Sequence, residues 1–193
     1  MVLMGAGRSF IAGADIRQFG KARPVFKRNS VEVFDDATKP AVAAIHGYAL
    51  GGGLEHALGC HYRIAVPSAK VGLPEVLIGI LPGGGGTQRL PRLIGPKAAM
   101  EMIVTGRHVP AEEAKKLGIV DDITPGTDLK GEAIAYAKKI ADKRPFRRVR
   151  DMKADASGDP GMFDAMRKSI ARKARNQKAP YQDRKSTRLN SSH

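Results

Sequence analysis

Tryptophan is absent from the 193-residue chain, aromatic residues make up only 5%, and cysteine occurs once, as Cys60. A lone cysteine forms no internal disulfide, which points to a reducing compartment. The chain holds no uninterrupted apolar stretch of about 18 residues, so no membrane-spanning helix is expected. No basic segment precedes an apolar stretch at Met1-Val-Leu-Met-Gly5, so no secretory signal is expected either. Helix-turn-helix, zinc-finger and aromatic RNP-type signatures are also missing, which removes the usual motifs of nucleic-acid recognition. Disorder throughout is excluded, because 42% of residues are hydrophobic and runs such as Pro40-Ala-Val-Ala-Ala-Ile45 recur between glycine-rich turns. A chain of this length suits one domain able to bury roughly 70% of its unfolded surface.

The net charge is +14, but it is unevenly spread. Residues 1–137 carry 16 basic and 13 acidic side chains, whereas residues 138–193 carry 17 and 6. The densest clusters are Arg144-Pro-Phe-Arg-Arg-Val-Arg150 and Arg167-Lys-Ser-Ile-Ala-Arg-Lys-Ala-Arg175. In the second, Met162, Ala165, Met166, Ile170 and Ala174 form a helical stripe with charges mostly outside it, the pattern of a solvated helix face. A basic nucleic-acid-binding module is the competing reading of this segment, and it predicts binding that weakens steeply with salt. Arg184 to His193 has one aliphatic residue and no periodicity, and reads as a disordered tail that need not be native.

Short strands alternate with helices, the pattern of an α/β domain. Strands are expected at 2–4 (buried), 41–45, 62–66, 70–73 and from Ile119-Val120. Helices are expected at 28–37, 54–59, 87–94, 96–105, 111–118 and 128–141. In Ala111-Glu-Glu-Ala-Lys-Lys-Leu-Gly118, acids open the helix, bases close it and glycine follows, which complements the helix dipole. Pro82-Gly-Gly-Gly-Gly86 is a loop either mobile or tightly constrained.

Gly51-Gly-Gly-Leu-Glu55 joins a buried strand to a helix. Its glycines let backbone approach a ligand, and the helix start offers free N–H groups that suit a phosphate or an oxyanion. A tight connection without a ligand is the alternative. Glu55 is either a helix-end charge or one of two working carboxylates. The other is Glu75, in Gly72-Leu-Pro-Glu75, where Pro74 restricts the loop. Two carboxylates facing one cleft can divide acid and base duties, although spacing alone does not bring them together. Other candidates are poorer. Met4-Gly-Ala-Gly-Arg-Ser-Phe10 has Phe10 where a dinucleotide turn needs its third glycine, and Gly83 to Arg89 lacks the Gly-Lys-Ser/Thr end of a phosphate loop. His56 and His61 do not share a helix face as a metal pair would, and Cys60 reads as a small buried residue.

Four blocks together resemble the enoyl-CoA hydratase/isomerase (crotonase) family. They are Ser9-Phe-Ile-Ala-Gly-Ala-Asp-Ile16, Lys39-Pro-Ala-Val-Ala-Ala-Ile-His-Gly-Tyr-Ala-Leu-Gly-Gly-Gly-Leu-Glu55, Gly72-Leu-Pro-Glu-Val76 and Pro82-Gly-Gly-Gly-Gly-Thr-Gln-Arg-Leu90. Cys60-His-Tyr-Arg63 and Ala171-Arg-Lys-Ala-Arg-Asn-Gln-Lys-Ala-Pro180 are most similar to the hydratase portion of multifunctional fatty-acid oxidation enzymes. The resemblance implies a crotonase fold of ββα units with C-terminal helices, here lacking its first strands. It divides the chain into a core at 1–142, a basic helical segment at 143–182 and the tail at 183–193.

It also implies hydration of trans-2-enoyl-CoA in fatty-acid β-oxidation, with enoyl-CoA isomerisation as the alternative. A catalytically dead interaction subunit is a third reading, opposed by the two retained carboxylates. The backbone N–H groups of Ala14 and Gly52 would form the oxyanion hole, Glu55 would activate water, and Glu75 would protonate Cα. Ala12, Asp15, Ile16 and Arg17 would line the CoA site, Arg17 meeting a phosphate or standing exposed. No cofactor is implied beyond the CoA of the substrate. A 3-hydroxyacyl-CoA dehydrogenase part is expected in the same full-length protein, with a homo-oligomer possible in principle, no membrane and no nucleic acid. The setting implied is cytoplasmic, or peroxisomal in a eukaryote.

Overall fold

A computed structural model describes residues 1–15, 17, 29–155 and 161–171. Ile16 and the expected tail lie outside the described residues. Two sheets carry the fold. The first is parallel, in the order β1 (Val2–Met4), β2 (Val42–Ile45), β4 (Tyr62–Ala65) and β7 (Asp122–Ile123). The second contains β3 (Tyr48–Leu50), β5 (Lys70–Gly72) and β6 (Val109–Pro110), with β3 and β5 parallel and β6 antiparallel to β5.

β2 reads as an unbroken apolar run because both of its faces are buried. Ala43 and Ile45 face the main core with Leu54 and Leu58 of helix α2 (Gly52–Gly59). Val42 and Ala44 face Ala133 and Ile140 at helix α6 (Leu129–Lys139), whose start is capped by the Asp128 side chain. β1 is half-exposed rather than buried as expected, because among the described residues only β2 pairs with it.

The chain steps between sheets in a repeated way. From β2 it crosses through His46-Gly47 into β3 and then enters α2. From β4 it crosses into β5, a 3-10 turn (Pro74–Ile78), and helices α3 (Gly86–Ile94) and α4 (Pro96–Thr105). These are the expected ββα units. Tyr48–Leu50 is not among the expected strands, because three residues between glycines are too few to show a period of two.

Three further differences have local causes. The strand expected from Ile119-Val120 begins at Asp122 instead. Helix α5 (Ala111–Leu117) closes on a left-handed Gly118, and the N–H groups of Ile119 and Val120 return to the Ala114 carbonyl rather than joining a sheet. In helix α7 (Met162–Ile170), Ala165 is exposed. Phe163 joins Met162, Met166 and Ile170 against Met100 and Val104 of α4 instead. Helix α1 is Ser30–Asp35, shorter than expected, and starts on a capping box in which the Asn29 side chain accepts from first-turn N–H groups, Val31's at 3.0 Å, and the Glu32 carboxylate accepts from the Asn29 N–H at 3.2 Å.

Two arginines of the basic C-terminal segment are tied to the core by ion pairs, while Lys143, Lys153, Arg167 and Lys168 are exposed. Arg147 pairs with Asp121, which also meets the fully buried Arg63, and Arg150 pairs with Asp36.

Candidate active site

Three parallel segments end at the same edge of the second sheet. Ile11 bridges to Ala49 of β3 in parallel, and β3 pairs with β5 in the register Leu50 to Gly72. Parallel neighbours present their C-terminal ends side by side, where open α/β folds place their ligand sites. Ala12–Ala14 follow the first segment, Gly51–Glu55 the second, and Leu73–Glu75 the third. This register supplies what the spacing of Glu55 and Glu75 did not: both carboxylates reach one cavity.

The cavity has a volume of about 660 Å³. Ala12, Ala14, Gly52, Glu55 and Glu75 line it, and Leu77, Ile78, Ile80 and Leu81 give it an apolar wall. Those four apolar residues and Asn29 were not singled out from the sequence. Asp15 and Arg17 are described but are not among the walls; they are exposed and paired with each other at 2.9 Å.

The three glycines at the turn have different reasons. Gly51 has a φ of 53°, and a Cβ there would come within 3.0 Å of Glu75 Oε1. Gly53 packs against the Ile11 carbonyl with no room for a side chain. Among the described residues nothing lies within 4 Å of the corresponding point on Gly52, which lines the cavity at the first turn of α2, where N–H groups have no intrahelical acceptor. His56 Nδ1 lies 2.5 Å from the Gly52 carbonyl and its Nε2 lies 2.7 Å from Ser30 Oγ. A carbonyl only accepts, so Nδ1 carries a proton and the ring ties the Gly52 peptide to α1.

Glu55 is 3% exposed, and its Oε1 accepts from the N–H groups of Gly84 at 2.7 Å and Gly86 at 2.8 Å. The glycine loop is therefore constrained, and its constraint is the carboxylate itself. Glu75 differs. Burial pushes its carboxyl up to about 7; a bond to its own backbone N–H offsets part of this, and the charge of Glu55 adds to it. Its Oε2 is buried without a hydrogen-bond partner among the described residues. One carboxyl group held by two backbone donors and another pushed up to about 7 by burial are unlike environments of the kind that can divide acid and base duties.

Against this geometry, the family profile described as "Enoyl-CoA hydratase/isomerase" matches residues 1–188. The chain belongs to that family. The peroxisomal bifunctional enzyme of Danio rerio is 47% identical over 183 residues, covering 93% of this chain and 25% of that protein. The glyoxysomal fatty acid beta-oxidation multifunctional protein MFP-a of Cucumis sativus is 46% identical over 154 residues, covering 75% and 21%. The solved enoyl-CoA hydratase from Bacillus anthracis is 36% identical with a TM-score of 0.64, covering 98% of this chain and 71% of that one. This member of the family thus has the crotonase fold, and it spans about a quarter of the length of the curated relatives it matches.

Beside this cavity, neither Arg89 nor Asp35 was singled out from the sequence, although Arg89 lies in the block Pro82–Leu90. Arg89 of α3 donates to the Gly84 carbonyl at 3.1 Å and pairs with Asp35 at the end of α1. The available signal was Asp35-Asp36 at a helix C-terminus, where acids oppose the dipole and therefore need partners elsewhere.

Proposed function

We propose that the chain is an enoyl-CoA hydratase domain that adds water across trans-2-enoyl-CoA. The observation that carries this is the pairing of two unlike carboxylates, Glu55 and Glu75, across one partly apolar cavity beside a helix start. The N–H groups of Ala14 and Gly52 receive the thioester oxygen. Water gives a proton to Glu55 as its oxygen bonds to Cβ, and the C=C electron pair moves toward the thioester to form an enolate. Negative charge then grows on the oxygen that the N–H groups face, which is where donors stabilise a transition state most. Protonated Glu75 delivers its proton to Cα, and the carbonyl re-forms. One water is consumed, nothing is oxidised or reduced, and both carboxyl groups are reset by proton exchange with solvent.

Ala12, Asp15, Ile16 and Arg17 belong to the CoA side in this reading; the Asp15–Arg17 pair would have to share Arg17 with a CoA phosphate. Because the relatives are bifunctional or multifunctional by name and much longer, the full protein is read as carrying a 3-hydroxyacyl-CoA dehydrogenase part that takes the hydrated product. Their names also favour the peroxisomal over the cytoplasmic setting.

The test is the absorbance of the conjugated enoyl thioester. Hydration removes it and yields the 3-hydroxyacyl thioester. Recovery of unchanged substrate, or of a shifted double bond alone, would contradict the assignment; the second outcome would favour isomerisation.

A further inference from the structure

We propose that Arg89, braced by Asp35, is a positioning residue for Glu55 and acts on it through the glycine turn. The inference rests on the hydratase reading and deepens it. Asp35 is 1% exposed and Arg89 8% exposed, so both charges have left water. A buried ion pair of this kind is weak support for stability, since apolar residues of similar volume often serve as well. Here the guanidinium does two things that an apolar side chain would not. One arm meets Asp35, and the other donates to the Gly84 carbonyl at 3.1 Å.

The same residue, Gly84, turns its N–H toward Glu55 Oε1 at 2.7 Å, and the Gly86 N–H follows at 2.8 Å. Between them Gly85 has a φ of 97°, and a Cβ there would overlap Arg89 Nη1. The turn is thus clamped on both sides, with Arg89 outside and Glu55 inside. Moving the guanidinium moves the backbone groups that aim the carboxylate.

Asp35 completes the brace from a second direction. Its helix α1 packs on α2, which carries Glu55, with Phe34 edge-on to His56. The neighbouring Asp36 fastens the end of α1 to Arg150. Neither Arg89 nor Asp35 lines the cavity, so neither is assigned contact with substrate.

The test compares two reactions of one site in the intact protein. Hydration of trans-2-enoyl-CoA uses both carboxylates. Exchange of the Cα proton of a saturated acyl-CoA into deuterated water uses Glu75 and the carbonyl donors. Arg89→Lys keeps a charge beside Asp35 but loses the planar fork that reaches Gly84. We expect hydration kcat to fall about 10- to 100-fold with KM little changed, while Cα exchange is largely kept. Asp35→Asn should shift the ratio of the two rates in the same direction. The ratio is independent of the folded fraction, so a variant that folds poorly still reports. An unchanged ratio overturns the positioning role, whereas wild-type protein that exchanges Cα protons but does not hydrate overturns the hydratase reading itself.

Discussion

Glu75 takes its raised pKa from burial beside Gly51, and that single property sets a pH dependence. In the proposed role of proton donor to Cα it must be protonated in free enzyme, so that proposal predicts that kcat/KM for hydration declines as pH rises through about 7, measurable by initial rates from pH 6 to 9. A profile flat across that range would remove Glu75 from the acid role. Stability is linked to the same group with a definite sign. With its pKa raised on folding from 4.5 to about 7, Glu75 contributes fully below the lower value and loses that contribution as pH climbs through the upper one. His61 runs the other way. Burial first, then Arg148 and Arg63, pull it from 6.5 to about 4, so its contribution is complete above 6.5 and is lost as pH falls toward 4. Its Nδ1 accepts from the Ala41 N–H at 3.0 Å, a bond that protonation would break.

Among the elements, the glycine turn before α3 shows what sequence conveys and what it hides. Four consecutive glycines mark a loop, but they do not say which of them is needed. Gly83 meets nothing within 4 Å among the described residues, whereas Gly85 combines positive φ with contact against Arg89. Gly85→Ala should therefore lower the thermal midpoint, with a cost of about 1–3 kcal/mol, while Gly83→Ala should leave it nearly unchanged. Equal effects in a melting experiment would contradict this division. Helices such as α4 and α5 were legible because proline, charge order and glycine mark their ends locally. The meeting of Glu55 and Glu75 was not legible from spacing, because it depends on the register of β3 with β5 rather than on either segment alone. Resemblance implied roles for both residues; Arg89 lies in one of the resembling blocks but Asp35 in none, and their contact becomes visible only when α1 and α3 are packed.

At the scale of the whole molecule, two arginines of the basic C-terminal segment, Arg147 and Arg150, hold that segment to the rest of the chain. Asp121 meets Arg63 in the core and Arg147 from the C-terminal segment, and Arg63 also donates to the carbonyls of Ala57, Cys60 and Ile119. Asp121→Ala leaves a buried guanidinium without its carboxylate and should destabilise the protein by about 3–5 kcal/mol in a denaturant titration. A change within a few tenths would show the pair to be dispensable. The central claim, that two unlike carboxylates at one sheet edge divide the work of hydration, is tested most directly by Glu55→Gln. Followed by the loss of conjugated enoyl-thioester absorbance, the variant should hydrate at least about 100-fold more slowly than wild type while retaining some double-bond isomerisation. Hydration at the wild-type rate in that variant would contradict the account.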